Sequence, residues 1–374
     1  MFQTTLIAAI TVALSTNSCQ ATAGDSTKEF AVMCHLFHAC KQGIPAVGDE
    51  NEPSLQPEIQ TLVGINMSAA DDEFYGSNFE EEKGHEADKN YTQHKATWAQ
   101  LKKDLETNQV SKQGIKITRL PKSSIRHYVQ LTALSGLEAL ETAKAPLPDA
   151  KTAEEINDEL KEVLYGSGNK QAVSGIDKTF GNTPADACGD QGGATSKAGI
   201  SLANDFVCLC GGGSTAAAGC IGGNGAFTAA GNGSSGTGAA AIAELLGKCH
   251  NKQKQPTAPG ELESLITTYN SLIGAQAGNT AGAQHNYSKH SAARCSAGDQ
   301  EGCINYKYQI DTNNAGIPWQ NKLKQVIDDM RQRRARHEAI KRLIEKAKET
   351  ERQVLIAYIQ SQAVTDLAKP TNAA

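Results

Sequence analysis

Residues 319–367 read WQNKLKQVIDDMRQRRARHEAIKRLIEKAKETERQVLIAYIQSQAVTDL. Apolar or small residues recur there at alternating steps of four and three, at Trp319, Leu323, Val326, Met330, His337, Ile340, Ile344, Ala347, Val354 and Tyr358. That spacing is a heptad-like seam on a helix, broken only at Arg333 and Glu351. No Pro or Gly falls between Gln320 and Lys369, and strong helix formers fill the outward positions. At ~1.5 Å per residue the helix would run on the order of 70 Å, so it needs partners of similar length.

Candidate partners lie upstream. Ser26 followed by Glu29 fits a capping box, with Phe30, Met33, Cys34, Phe37 and Cys40 on one face of a helix that stops near Gly43 and Pro45. Helical spacing returns at 93–109. It is stronger at Ser124–Ala145, where Ile125, Val129, Thr132, Leu137 and Leu140 form a stripe ended by Pro146 and Pro148. A second capping box, Thr152 to Glu155, opens a helix carrying Ile156, Leu160, Val163 and Leu164 and closed by Gly166. The last two, joined by a short turn, are expected to form an antiparallel hairpin along the terminal helix.

With 39% hydrophobic and 5% aromatic residues, the chain suits thin Ala/Leu seams better than a thick core. A net charge of −5 argues against a broad nucleic-acid surface. The basic run Arg331–Arg336 reads as a solvated helix flank, partly balanced by Glu338, Glu345, Glu349 and Glu351. The acidic stretch 69–89 matches no calcium-loop spacing and reads as surface loop.

Residues 1–23 read as a signal peptide, with an apolar run from Leu6 to Leu14 and Ala21-Thr22-Ala23 as the cleavage site, although no Lys or Arg precedes the run. The mature chain then starts at residue 24 in an oxidising compartment, and its cysteines read as a disulfide framework. Eight are assigned to bonds: Cys40, Cys188, Cys208, Cys210, Cys220, Cys249, Cys295 and Cys303. Cys34 is the expected odd thiol. Cys208 and Cys210, a C-x-C pair, are expected to bond Cys220 and Cys249 in some order, and Cys295 with Cys303 to make a local hairpin staple. The string Cys34–Cys40 has the look of a compact zinc site, but in this compartment core packing and disulfide pairing explain it better.

Between Gly211 and Gly238 a Gly/Ala/Ser/Asn tract reads as loop, and it lacks the Lys-Ser/Thr ending of a phosphate-binding loop. Sequons occur at Asn66, Asn90, Asn232 and Asn286. No catalytic constellation, metal set or cofactor motif stands out, so no catalytic or metal residue is assigned.

Three strings together resemble a known family. Lys28-Glu-Phe-Ala-Val-Met-Cys34 lies near the mature start, Phe206-Val-Cys-Leu-Cys210 follows a helix expected over Ser196–Asn204, and Cys295…Gly302-Cys303 precedes Ile317-Pro318-Trp319. With the Leu164-Tyr165-Gly166 helix ending, they are similar to the B-type N-terminal domain of trypanosome variant surface glycoproteins, over about residues 28–348.

The resemblance implies a mainly α fold: an elongated antiparallel bundle of coiled-coil-like helices (24–166 and 317–369) with a disulfide-stapled, loop-rich distal lobe (167–316). It implies a surface coat antigen, not an enzyme, that shields the parasite membrane and escapes host antibody by antigenic variation. A receptor for a host serum protein on the same scaffold is the alternative. Implied partners are host antibodies, neighbouring coat molecules and further copies of the chain in a dimer or trimer, with no nucleic acid. A glycosylphosphatidylinositol anchor would hold the molecule on the cell surface. Neither that signal nor a Cys-rich C-terminal domain is expected within 24–374. Some similar members carry sugar on a distal-loop serine, which makes Ser296 a candidate, with Ser234 and Ser235 as rivals.

Overall fold

The computed structural model describes residues 25–46, 55–79, 89–144, 149–210, 220–221, 237–249, 256–277, 282–288, 294–295 and 302–367. These are mainly α-helical and form two compact units, one from 1–46 with 151–331, the other from 47–150 with 332–374. The long C-terminal helix contributes to both. No described helix is long and apolar enough to cross a membrane.

The first unit is built around α1 (Thr27–Gln42), which buries Phe30, Met33, Cys34, Leu36, Phe37, Ala39 and Cys40. Its neighbours are α6 (Ala153–Tyr165), α8 (Leu202–Cys210) and α10 (Pro259–Leu272). On α6 the expected capping box forms, with the Glu155 N–H donating to Thr152 Oγ1 at 3.2 Å and the Thr152 N–H to Glu155 Oε2 at 2.8 Å. The expected box on α1 does not form. The Ser26 hydroxyl instead pairs with that of Ser288 at 2.5 Å, and Glu29 is fully buried against the Gln276 amide at 2.7 Å. The local signature was sound, but partners about 250 residues away displaced it.

Short helix α7 (Pro184–Cys188), α9 (Gly238–Gly247) and a two-stranded ladder of β3 (Asn286–Tyr287) with β4 (Ile304–Asn305) complete this unit, together with a π-helix at Tyr308–Thr312. All nine residues of α8 are buried. The helix expected at Ser196–Asn204 is therefore displaced to Leu202–Cys210. Gly199 explains this, because its φ of +83° breaks helical geometry, and a Cβ there would meet Ile317 and Pro318 at 2.8 Å.

The second unit holds α2 (Gln56–Ala69), α3 (Asp72–Gly76), α4 (Lys89–Glu106), α5 (Ser124–Lys144) and a hairpin of β1 (Ser111–Lys112) and β2 (Ile115–Lys116). The hairpin turn is Gln113-Gly114, with φ of +51° and +80°, which fits a type I′ turn matched to strand twist. The main packing is α2 on α5, with Leu62, Ile65, Val129, Ala133 and Leu140 buried. Gly136 lets α5 approach the C-terminal helix, since a Cβ there would lie 2.6 Å from Thr350 Cγ2. Within the second unit α5 packs chiefly on α2, and within the first α6 packs on α1 and α8.

The C-terminal helix, α11, runs Pro318–Leu367. Trp319, Leu323, Val326 and Met330 are buried in the first unit, and Leu343, Ala347, Val354 and Tyr358 in the second. From Arg331 to Arg342 no residue is buried, and His337 is exposed, so the seam is interrupted for more than three turns. Six cations in those twelve positions account for it. Glu351, the other break in the seam, is buried and ion-paired to Lys112 at 2.7 Å.

Candidate functional site

The cysteines pair as Cys34–Cys249, Cys188–Cys208, Cys210–Cys220 and Cys295–Cys303. The local staple at Cys295 forms as expected, whereas the odd thiol is Cys40 rather than Cys34. Helix α1 is covered on several faces. Cys34 meets the segment just past α9, while Cys40 is buried at 2% exposure, and burial pushes its thiol up to about 12. Such a thiol is inert at neutral pH. Cys208 and Cys210 do take different partners, because two residues of helix turn the side chain by about 200°. One partner differs from the expected pair. Cys208 takes Cys188, because the Asn204 amide holds α7 by donating to Ala187 O at 2.8 Å. The Cys34–Cys249 bond spans 215 residues, and in the chain-entropy picture it contributes about 5 kcal/mol, the largest share of the four.

Beside these bonds lies a buried polar centre that sequence reasoning missed. Asp205 on α8 accepts four hydrogen bonds: Oδ1 from the Gly199 N–H at 2.8 Å and Asn204 Nδ2 at 3.1 Å, Oδ2 from Tyr306 OH at 2.5 Å and Trp319 Nε1 at 2.8 Å. With its proton committed to Asp205, Tyr306 accepts from Tyr269 at 2.5 Å. Tyr269 also stacks on Tyr287, with ring centroids 4.0 Å apart, and meets Trp319 edge-on at 5.1 Å. Burial raises the Asp205 carboxyl to about 6 even though all four donors favour its ionised form. One carboxylate thus ties α8, α10, β4 and the start of α11 together. Of the groups around it only Trp319 stands out in the sequence, at the head of the seam.

The predicted modification sites do not cluster. Asn66 lies within α2, its Oδ1 buried without a partner, and Ser68 of that sequon is fully buried with its hydroxyl donating to Ile65 O at 2.8 Å. Asn286 sits in β3 at 2% exposure with neither amide atom hydrogen-bonded. Asn90 is at the start of α4. Asn232, Ser234, Ser235 and Ser296 lie outside the described residues.

In the acidic stretch, Asp71 caps α3 through the Phe74 N–H at 2.7 Å, and Asp72 takes Arg119 at 2.8 Å and Arg126 at 2.7 Å. The Arg126 hydrogen bond, aided by Arg119, holds the Asp72 carboxyl below its ordinary value. In the basic run, Arg331 pairs with Glu263 at 2.5 Å. Among the described residues no three His, Cys, Asp or Glu side chains are grouped to hold a metal ion.

Four disulfides and one buried carboxylate thus cross-link the described segments of the first unit. A family model described as the trypanosomal VSG domain matches residues 8–349. No curated protein matches the chain. The family match spans nearly the whole sequence and includes every cysteine that pairs, so the chain belongs to the trypanosomal VSG domain family, as a variant surface glycoprotein N-terminal domain.

Proposed function

We propose that this chain shields the parasite plasma membrane as one member of an antigenically variable coat, presenting variable loops to host antibody. The observation that carries the reading is the family match over residues 8–349, since this is a structural surface-coat family. Four disulfides pinning the loop-bearing unit suit the role, because a displayed loop is useful only if its base is rigid. Export by the leader at 1–23, a glycosylphosphatidylinositol anchor supplied with the intact gene product, and contact with neighbouring coat molecules complete the proposal.

The test is expression of the intact gene product on trypanosomes. Antibody raised to the chain should label live, unpermeabilised cells evenly, phospholipase C should release the label, and the same antibody should ignore cells switched to a different coat. Label restricted to a small surface region, with micromolar capture of one serum protein, would overturn the coat reading.

A further inference from the structure

From Arg331 to Arg342, α11 carries six cations against one carboxylate, Glu338, and none of these twelve residues is buried. The rest of the helix differs. From Trp319 to Met330 and again from Leu343 to Ser361, at least one residue in every four is buried. No buried residue anchors the charged stretch, and segments with few buried contacts open locally at low free energy. Like charges one turn apart, Arg331 with Arg334 and Arg333 with Arg336, lower that cost further. Arg331 is held on the surface by Glu263 at 2.5 Å and Asp328 at 3.4 Å.

The order of the cations within this stretch is specific. Arg331-Gln332-Arg333-Arg334 has the form Arg-x-Arg-Arg, and no other Arg-x-Lys/Arg-Arg string occurs in the chain. Subtilisin-like endoproteases of dibasic specificity cut after such strings. Their carboxylate-lined subsites take guanidinium groups at the fourth, second and first positions before the bond, through charge-assisted forks that Lys does not reproduce. Arg334, which would fill the first of these, is exposed, and so is the small residue after it, Ala335. The disulfide layout decides what a cut there would do. No cysteine follows Cys303, so residues 335–374 have no covalent tie except α11 itself. What remains is the burial of Leu343, Ala347, Val354 and Tyr358 and the Lys112–Glu351 ion pair at 2.7 Å.

We propose that the Arg334–Ala335 bond is a processing site for a dibasic-directed serine endoprotease. The helix opens locally around Arg334, and water adds across the peptide bond. One product ends in the Arg334 carboxylate, and the other is a cysteine-free fragment that begins with the Ala335 amine and stays bound by packing alone.

The test treats the folded, oxidised chain with furin as the probe protease, and separately with trypsin. On a denaturing gel run without reductant, furin should release a fragment whose amino-terminal sequence starts at Ala335, while size exclusion before denaturation shows one undivided species. Arg331→Lys keeps the charge that faces Glu263 but removes one guanidinium, and Arg334→Gln removes the group next to the bond. Each should slow furin at least about tenfold, the loss expected of one charge-assisted contact. Trypsin, which needs only one cation, reports the opening itself: it should cut α11 within residues 331–342, at the same rate in Arg331→Lys, and spare Lys348 and Arg352 where packing resumes. A chain that furin leaves whole, a furin rate unchanged in Arg334→Gln, or trypsin cutting at Arg352 as fast as within 331–342 would each overturn the proposal.

Discussion

Asp205 is the residue on which the first unit turns, because two local donors, Gly199 and Asn204, and two remote ones, Tyr306 and Trp319, converge on its buried carboxylate. Asp205→Ala would strand the Trp319 and Tyr306 donors, and a loss of about 2–5 kcal/mol is expected in denaturant unfolding. The pH dependence has a definite sign. The folded carboxyl sits at about 6 against an ordinary 3.8, so the folded chain holds that proton more tightly than the unfolded chain. The associated stability is present below about pH 4 and fades as pH rises through about 6, a change of about 3 kcal/mol. Relative to Asp205→Asn, the unmodified chain should lose most of that, about 2 kcal/mol, between pH 4 and 7, and a flat difference would show that the hydrogen bonds offset burial. At the same scale, Asn286 is buried in β3 and Ser68 on the inward face of α2, so peptide mapping after enzymatic deglycosylation should find no conversion at Asn286 or Asn66. A glycan at Asn286 would be incompatible with the β3–β4 ladder as packed.

Among the elements, α5 depends on a missing side chain. At Gly136 any Cβ lies 2.6 Å from Thr350 Cγ2, and Val354 is close behind at 3.8 Å. Gly136→Val should therefore cost more than about 2 kcal/mol, read by thermal melting, whereas an ordinary exposed helix glycine gains stability on replacement. The helices that carried strong periodicity, α1, α5, α6 and α11, were legible in the sequence. Helices α2 and α10 were passed over, although Pro57 and Pro259 stand at their first turns and Leu262, Ile266 and Tyr269 keep helical spacing. Their neighbourhoods are rich in Gly, Ser and Asn, and that composition outweighed short apolar stripes. The pairing of Cys208 with Cys188 could not be read, because it depends on Asn204 gripping the α7 backbone. Asp205 was hidden for a related reason: an acidic residue inside an apolar run gives no sign of the Tyr306 and Trp319 donors that arrive from more than a hundred residues away.

For the molecule as a whole, the two compact units differ in how they hold themselves together. The described disulfides all lie in the first, while the second relies on apolar packing. The second also leaves large apolar side chains exposed: Tyr128, Leu131 and Leu134 on α5, and Ile356, Ile359 and Val364 on α11. Steps of three along α5 put its trio on one stripe, and such a stripe supports the proposed self-association. Sedimentation velocity should show a dimer or trimer that dissociates on dilution, and Leu131→Glu with Leu134→Glu should shift the equilibrium to monomer. A species of constant mass in both forms would sever that link.

The two units also come with separate optical labels. The chain has two tryptophans, and they fall one to each unit: Trp319, with its indole N–H on Asp205, in the first, and Trp98, edge-on to Phe74 at 5.2 Å, in the second. The intrinsic emission of Trp98→Phe follows the disulfide-pinned unit alone, and that of Trp319→Phe the other. Whether the molecule melts in one step or two is thus written in its own fluorescence, without any attached dye.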